Sequence, residues 1–249
     1  MNMLRVLKNE IIKMFSGKKF YVLSMTLIIS IIVMAFLGKI HPNRGMNTSN
    51  FVFYTLLGTL LKPLIPMFMV LVITDTFTED YIQGTMKFSL MAPIKKIDLI
   101  IGKFLFIAIY GLILLAIGFV GSYIIGVITF GVGNNGEFLN GFINNIKVYA
   151  SIILPLFSFS AVISFIAVII NNSGAMIGLG IGIDVIMMMI DSQMKNIMYY
   201  TFSGGMYAYR IVQNLNARNI LMLSLTACIY ITVFLILSIV VVKRKDIVL

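Results

Sequence analysis

Residues Leu99–Phe130 read LIIGKFLFIAIYGLILLAIGFVGSYIIGVITF, an apolar run with a single charged side chain, Lys103. A helix needs about 20 apolar residues to cross the hydrocarbon core of a bilayer, and two crossings would need roughly 40. The run therefore predicts one tilted or protruding membrane helix. It is continuous rather than alternating, which argues against the two-sided strands of a membrane β-barrel. Five further stretches of the same character lie at Phe20–Gly38, Thr55–Phe77, Val148–Ile170, Gly174–Ile190 and Asn219–Val242. Composition agrees: 60% of the 249 residues are hydrophobic and only 11% charged, with mean hydropathy +1.03. An average soluble domain is about 25% charged, so this chain has too little charge to clothe a water-facing surface. An ordinary soluble enzyme, a disordered tail and a disulfide scaffold are ruled out. The expectation is an all-α membrane protein with six transmembrane helices in one domain, 1–249.

The first stretch is longer than the roughly 7–15-residue core of a signal peptide and lacks a following A-x-A site, so it reads as a retained span. The net charge of +10 comes from 19 Lys+Arg against 9 Asp+Glu. The basic residues sit at the ends of apolar runs, a pattern that sets membrane orientation rather than one that binds nucleic acid. With the N-terminus inside, 12 of them fall in cytoplasmic segments, 6 in outer ones, and Lys62 lies within the second stretch. Both termini are then cytoplasmic. Cys228 is the single cysteine; it cannot form an intrachain disulfide and reads as a small buried apolar residue.

The connecting segments differ in character. In 1–19, Leu4, Leu7, Ile11, Met14 and Phe15 recur at helical spacing, with Arg5, Asn9 and Lys13 elsewhere. That pattern predicts a helix lying in the inner interface with its apolar side in lipid. The 131–147 segment opens GVGNNG and reads as an outer loop, and Asn171-Asn172-Ser173 as a tight inner turn. The 78–98 segment, the longest cytoplasmic connection, holds Gly84, an apolar group of Phe88, Leu90 and Met91, and then Pro93. A short amphipathic element there could plug a groove on a cytosolic partner; an ordinary loop is the other reading.

Catalytic, metal and cofactor sites are not expected in this chain. His41 is the only histidine, which leaves no Cys/His zinc cluster, and no G-x-x-x-x-G-K-[ST] phosphate loop occurs. Phe202-Ser203-Gly204-Gly205-Met206 looks like the L-S-G-G-Q signature of ABC ATPases, but without a phosphate loop and on the outer side it reads as a glycine turn.

Glu79, Gly84-Thr85, Pro93, Lys96, Asp98 and Gly102-Lys103 follow one another around the start of the third span. Their order and spacing resemble type-2 ABC transporter permeases, six-span membrane subunits of bacterial exporters, including those for antimicrobial-peptide export or immunity. That family usually has Arg where Lys96 stands. The resemblance implies a multi-pass subunit of the bacterial cytoplasmic membrane, paired with a second permease as homodimer or heterodimer. Two cytosolic ABC ATPase subunits would bind the ATP and Mg, and the 79–93 part would be the coupling helix. The implied function is ATP-driven export of an amphipathic or hydrophobic substrate, a peptide toxin or antimicrobial. The 192–218 segment would match the family's outer re-entrant helices, with Tyr199, Tyr200, Phe202 and Tyr207 as gate candidates; an interfacial aromatic belt is the plainer reading. A self-contained secondary transporter or channel, and a membrane anchor or assembly protein, are the alternatives.

Within the spans, Asp184 stands mid-way along the fifth and Lys62 in the outer part of the second. A carboxylate there should face protein or water, so Asp184 either pairs with Lys62, lines a pathway, or is satisfied by a neighbouring hydroxyl. Gly174, Gly178 and Gly182 form overlapping G-x-x-x-G steps and predict close helix packing, within the subunit or at a dimer seam. Pro63, Pro66 and Pro155 are expected to kink their spans.

Overall fold

The computed structural model describes residues 2–40, 47–56, 58, 64–82, 95–132, 135–193, 197–206 and 217–244. Among these every regular element is helical. The apolar runs become α1 (Asn2–Ser16), α2 (Lys18–Ile40), α3 (Thr48–Thr55) and α4 (Ile65–Ile73). After α4 the helix widens into a π segment, Thr74–Glu79, and closes with one short turn, α5 (Asp80–Ile82). The long helices follow: α6 (Lys96–Phe130), α7 (Asn135–Ile169), α8 (Ser173–Gln193) and α9 (Ala217–Arg244).

Five of these helices are long and apolar enough to cross a membrane: Lys18–Ile40, Lys96–Phe130, Phe138–Ile169, Ser173–Asp191 and Ile220–Arg244. Of the second expected span, Thr55–Phe77, the described residues are 55–56, 58 and 64–77; from Ile65 it forms α4 and the π segment, whose side chains are mostly buried. Lys62 and Pro63 lie outside the described residues. Pro66 falls in the first turn of α4, where a missing N–H costs nothing, and Pro155 lies inside α7.

The surface carries the signature of a lipid solvent. Tyr21, Met25, Ile32 and Phe36 of α2, Ile186 and Met189 of α8, and Leu225 and Ile236 of α9 are all exposed. In water such a surface would aggregate; in hydrocarbon it costs nothing to leave uncovered. Cys228 is exposed as well, against the expectation of burial, because its face of α9 points away from the bundle.

Helix α7 is the hub, packed against α9, α6, α4 and α3. The expected loop at 131–147 shrinks to the turn after Gly131, whose φ of 73° suits glycine, and α7 begins at Asn135. Side chains explain the early start. Phe142 packs on Tyr123 and Phe119, with centroids 5.1 and 5.8 Å away. Asn145 donates through Nδ2 to Tyr123 Oη at 2.8 Å and to the Ser49 carbonyl at 3.0 Å. These contacts hold as helix a segment whose first residues signal a turn.

Helix α1 leaves part of its apolar face exposed and packs a neighbouring face against the bundle. Val6, Glu10 and Met14 are buried, whereas Leu4 and Phe15 are exposed. The buried face lies along α6, closest at Gly102, where an added Cβ would stand 2.9 Å from Val6 Cβ.

On α8 the buried positions Met176, Gly180, Asp184 and Asp191 form one stripe. The close approach occurs at Gly180, where a Cβ would lie 2.5 Å from Val70 Cγ1 of α4. Gly178 and Gly182 meet nothing within 4 Å among the described residues, and Gly174 only the Asn172 side chain at 3.4 Å. Among the described residues the G-x-x-x-G stripe thus makes no contact with another helix. Because Val70 is branched at Cβ, it cannot swing aside. Gly180→Ala should therefore cost about 1–3 kcal/mol of stability by overpacking, seen as a lower melting temperature in detergent. Gly178→Ala should leave the melting of the single chain unchanged or slightly raised.

Candidate functional site

A charged side chain buried among apolar helices must find partners, and Lys103 of α6 finds three. It is 1% exposed. Its Nζ donates to Asp80 Oδ2 and to the Thr76 carbonyl, and lies 3.1 Å from Glu10 Oε1. From the other side, Lys13 of α1 reaches Asp80 Oδ1 at 2.5 Å. One ammonium thus joins α1, α5, the π segment and α6.

The π segment makes this geometry reachable. In an α-helix, residues 75 and 80 would point about 140° apart. The i→i+5 bonding of a π turn winds more residues into each turn and carries Asp80 back toward the side of Asp75 and Glu79. Threonines line the same stretch: Thr74 Oγ1 donates to the Val70 carbonyl at 2.8 Å, Thr76 Oγ1 to Val72 at 2.7 Å, and Thr78 Oγ1 across to Ala167 of α7 at 3.1 Å. Next to the buried pairs, Lys19 of α2 binds Asp75 Oδ1 at 2.7 Å and lies 3.7 Å from Glu79 Oε2. A cavity of about 300 Å³ opens between α1, α2, α4 and α6, bordered by these charges and floored by Phe20, Phe106 and Tyr110.

Burial alone would push the Asp80 carboxyl up. The Lys103 charge and hydrogen bonds from Lys103 and Lys13 outweigh it and hold Asp80 below the usual carboxylate range. Burial likewise would lower the Lys13 ammonium, but its hydrogen bond and attraction to Asp80 raise it overall. The Lys13–Asp80 pair is therefore charge-separated across the neutral range.

Residues 10–248 match the model of a family described as a protein of unknown function, DUF2705. The chain belongs to that family. No curated protein matches it. In this DUF2705 chain the residues singled out from sequence scatter over two places. At the charge junction lie Glu79, beside Lys19, and the pair Gly102-Lys103, where α1 seats and the buried ammonium stands. Lys96 donates to the Val242 and Lys243 carbonyls at 3.2 and 3.4 Å, meeting the negative C-terminal end of α9, and Asp98 occupies the first turn of α6. Gly84, Thr85, Phe88, Leu90 and Pro93 lie outside the described residues.

The second place is the far end of α8. Asp191 accepts from Thr201 Oγ1 at 2.7 Å and Ser203 Oγ at 2.6 Å, pinning a pair of single-turn 3-10 helices at Ile197–Tyr199 and Gly204–Met206. The serine of the FSGGM stretch is thus taken up by Asp191. Phe202 is buried between Phe159 and Tyr230, 6.2 and 5.8 Å away, so it anchors this segment. Tyr200 is exposed, with its carbonyl bonded by Tyr230, and Tyr199 is half-buried; Tyr207 lies outside the described residues. Asp184 is buried on the α8 face toward α4.

Sequence reasoning missed Glu10, Lys13, Asp80 and Asp191, and counted Lys103 as a solvated cytoplasmic lysine. One signal was available: a lysine five residues inside an apolar run needs a counter-ion, and Glu10 and Asp80 are acids in segments next to apolar runs. Breaking a buried pair on one side costs about 3–5 kcal/mol, so Lys103→Met should strongly lower the melting temperature. Asp80→Asn should do so in a pH-dependent way. A carboxyl with a depressed folded pKa stabilises above its unfolded value of about 3.9 and loses that contribution as pH falls through the folded value. The melting gap between wild type and Asp80→Asn should then be full at pH 6 and close toward pH 3.

Proposed function

We propose that this chain is the membrane-spanning permease subunit of an ATP-driven exporter, moved by separate cytosolic ATPase subunits. The reading counts α4 and the π segment as part of a second crossing, giving six spans with both ends of the chain cytoplasmic. α1 is then an inner interfacial helix. The observation that carries it is the charge junction: Glu10 and Lys13 of α1, Asp80 next to the 83–94 stretch, and Lys103 at the head of α6 are tied through one ammonium. A force applied to the 79–93 segment by a partner would be felt at once by α1 and α6, because moving any member strips a buried charge of its counter-ion. Lys96 on the end of α9 extends the same connection to the last span. Support also comes from the similarity of Glu79, Gly84-Thr85, Pro93, Lys96, Asp98 and Gly102-Lys103 to the permease pattern.

On this reading a second permease copy completes the pathway, and the exposed Gly178 offers a close-approach surface for it. The cargo is an amphipathic or hydrophobic compound, with a peptide toxin or antimicrobial as the leading class. Affinity purification of the full chain from its native membrane should bring down a protein with a phosphate loop and Mg-dependent ATPase activity. Phe88→Glu or Leu90→Glu should reduce that recovery at least about tenfold, since a buried charge would enter the docking surface. Recovery of no ATPase with the wild type, or equal recovery with both variants, would remove the exporter reading.

A further inference from the structure

Helix α1 presents a face that nothing among the described residues covers. With 3.6 residues per turn, Leu4, Phe15, Lys8, Ile12 and Arg5 share an arc of about 100°, opposite the buried Val6, Glu10 and Met14. Leu4, Ile12 and Phe15 are 60%, 54% and 49% exposed. Lys8 falls between them and Arg5 at the edge, both exposed, and Lys18 is exposed just past the corner at Gly17. Among the described residues the side chains of Arg5, Lys8 and Lys18 make no hydrogen bond or ion pair. Glu10 is the sole acid in residues 1–40, and it faces Lys103. The uncovered face is therefore apolar and positive, with no anion of its own.

This mixture selects its neighbour. Water would leave three large apolar side chains uncovered. Hydrocarbon alone, or a dry protein interface, would strip Arg5 and Lys8 of hydration without supplying a counter-ion. A layer that is apolar at one depth and anionic just above it satisfies both. The long stems of lysine and arginine lie along apolar carbon while their charged heads reach outward. The corner after α1 has the composition of the same layer. Tyr21 is 57% exposed, its Oη donates to the Phe15 carbonyl at 3.1 Å, and Phe20 packs edge-on to Phe15 with centroids 5.4 Å apart. Tyrosine is enriched at the depth of lipid headgroups.

We propose that the outer face of α1 and the first turn of α2 form a docking surface for anionic phospholipid. Headgroup phosphates accept from Arg5, Lys8 and Lys18, while Leu4, Ile12 and Phe15 lie against the upper acyl chains. Each basic residue near an anionic bilayer surface strengthens attachment by a factor of about five. Three together give a preference of about a hundredfold over a zwitterionic surface. Seated in this way, α1 is held by lipid on one face and, through Glu10, by Lys103 on the other. This site rests on the placement of α1 at the inner interface and makes no use of an ATPase.

The test is native mass spectrometry of the full-length chain in detergent, titrated with dioleoylphosphatidylglycerol, dioleoylphosphatidylcholine or inorganic phosphate. Phosphatidylglycerol should bind at least about tenfold tighter than phosphatidylcholine, and phosphate alone should not bind. Arg5→Gln, Lys8→Gln and Lys18→Gln should each weaken phosphatidylglycerol binding about fivefold, and the three combined should abolish the preference. Lys39→Gln, at the far end of α2, should change nothing. Equal binding of the two lipids, tight binding of free phosphate, or the same loss from Lys39→Gln as from Lys8→Gln would overturn the proposal. A second arm follows placement alone. Ile12→Cys in a Cys228→Ser background, carrying a polarity-sensitive dye, should report apolar surroundings in phosphatidylcholine nanodiscs. An apolar signal without a headgroup preference would overturn the anionic site and keep the interfacial helix; a watery signal would remove both.

Discussion

The Lys103 ammonium is the constraint around which one end of this bundle is built. A lysine with 1% of its surface exposed cannot remain charged in an apolar bundle without several partners, and the desolvation of an isolated ion would exceed any packing gain. The fold meets that demand from three directions, with Asp80, Glu10 and the Thr76 carbonyl. Each of these fixes something else. Glu10 dictates which face of α1 turns inward. Asp80 requires the widened π turn that precedes it. The Gly102 neighbour lets α1 come close enough for Glu10 to reach. Replacing this arrangement by hydrocarbon could be neutral for stability; what it supplies is a specific register between α1, the end of α4 and the head of α6.

The long apolar spans were legible because periodicity hardly matters for them: twenty apolar residues in a row admit few structures in lipid. Val148–Ile170, Gly174–Ile190 and Asn219–Val242 all lie within observed helices to within a residue or two. The errors have a common physical origin. GVGNNG announces a turn, and α6 does end at Gly131, but helix is present again from Asn135 because Asn145 and Phe142 have partners on α3 and α6 that no local pattern reveals. The apolar pattern of α1 pointed to the side meant for lipid and said nothing of its inward face, whose deciding member is an acid, Glu10. Gly178 and Gly182 suggested contact within the subunit or at a dimer seam; within the described chain the contact falls instead at Gly180, two positions away, since Val70 on the facing helix decides where a missing side chain is needed.

Polar groups inside the bundle were the least readable. Asp184 stood out because it interrupts an apolar span, and it is buried as a carboxylate there should be. Asp191 drew no notice at a span end, although its two hydroxyl partners hold the whole 197–206 turn against α8. The difference is one of reference: a charge in mid-span is anomalous against its neighbours, while a charge near a boundary looks solvated until the chain folds back over it. Asp80 was overlooked for the same reason.

That observation bears on how such a bundle can move. Ion pairs placed at span ends sit where water is within reach, so opening them exposes charges to solvent rather than to lipid. The Lys19–Asp75 pair, with the lysine two-thirds exposed, can part cheaply. The Lys103 pairs cannot part without uncovering a fully desolvated ammonium. The junction is therefore graded, loose on the α2 side and rigid between α1, the end of α4 and α6. Motion at this end of the bundle would carry the rigid group as one body and slip along the α2 side, where the cavity already separates the helices.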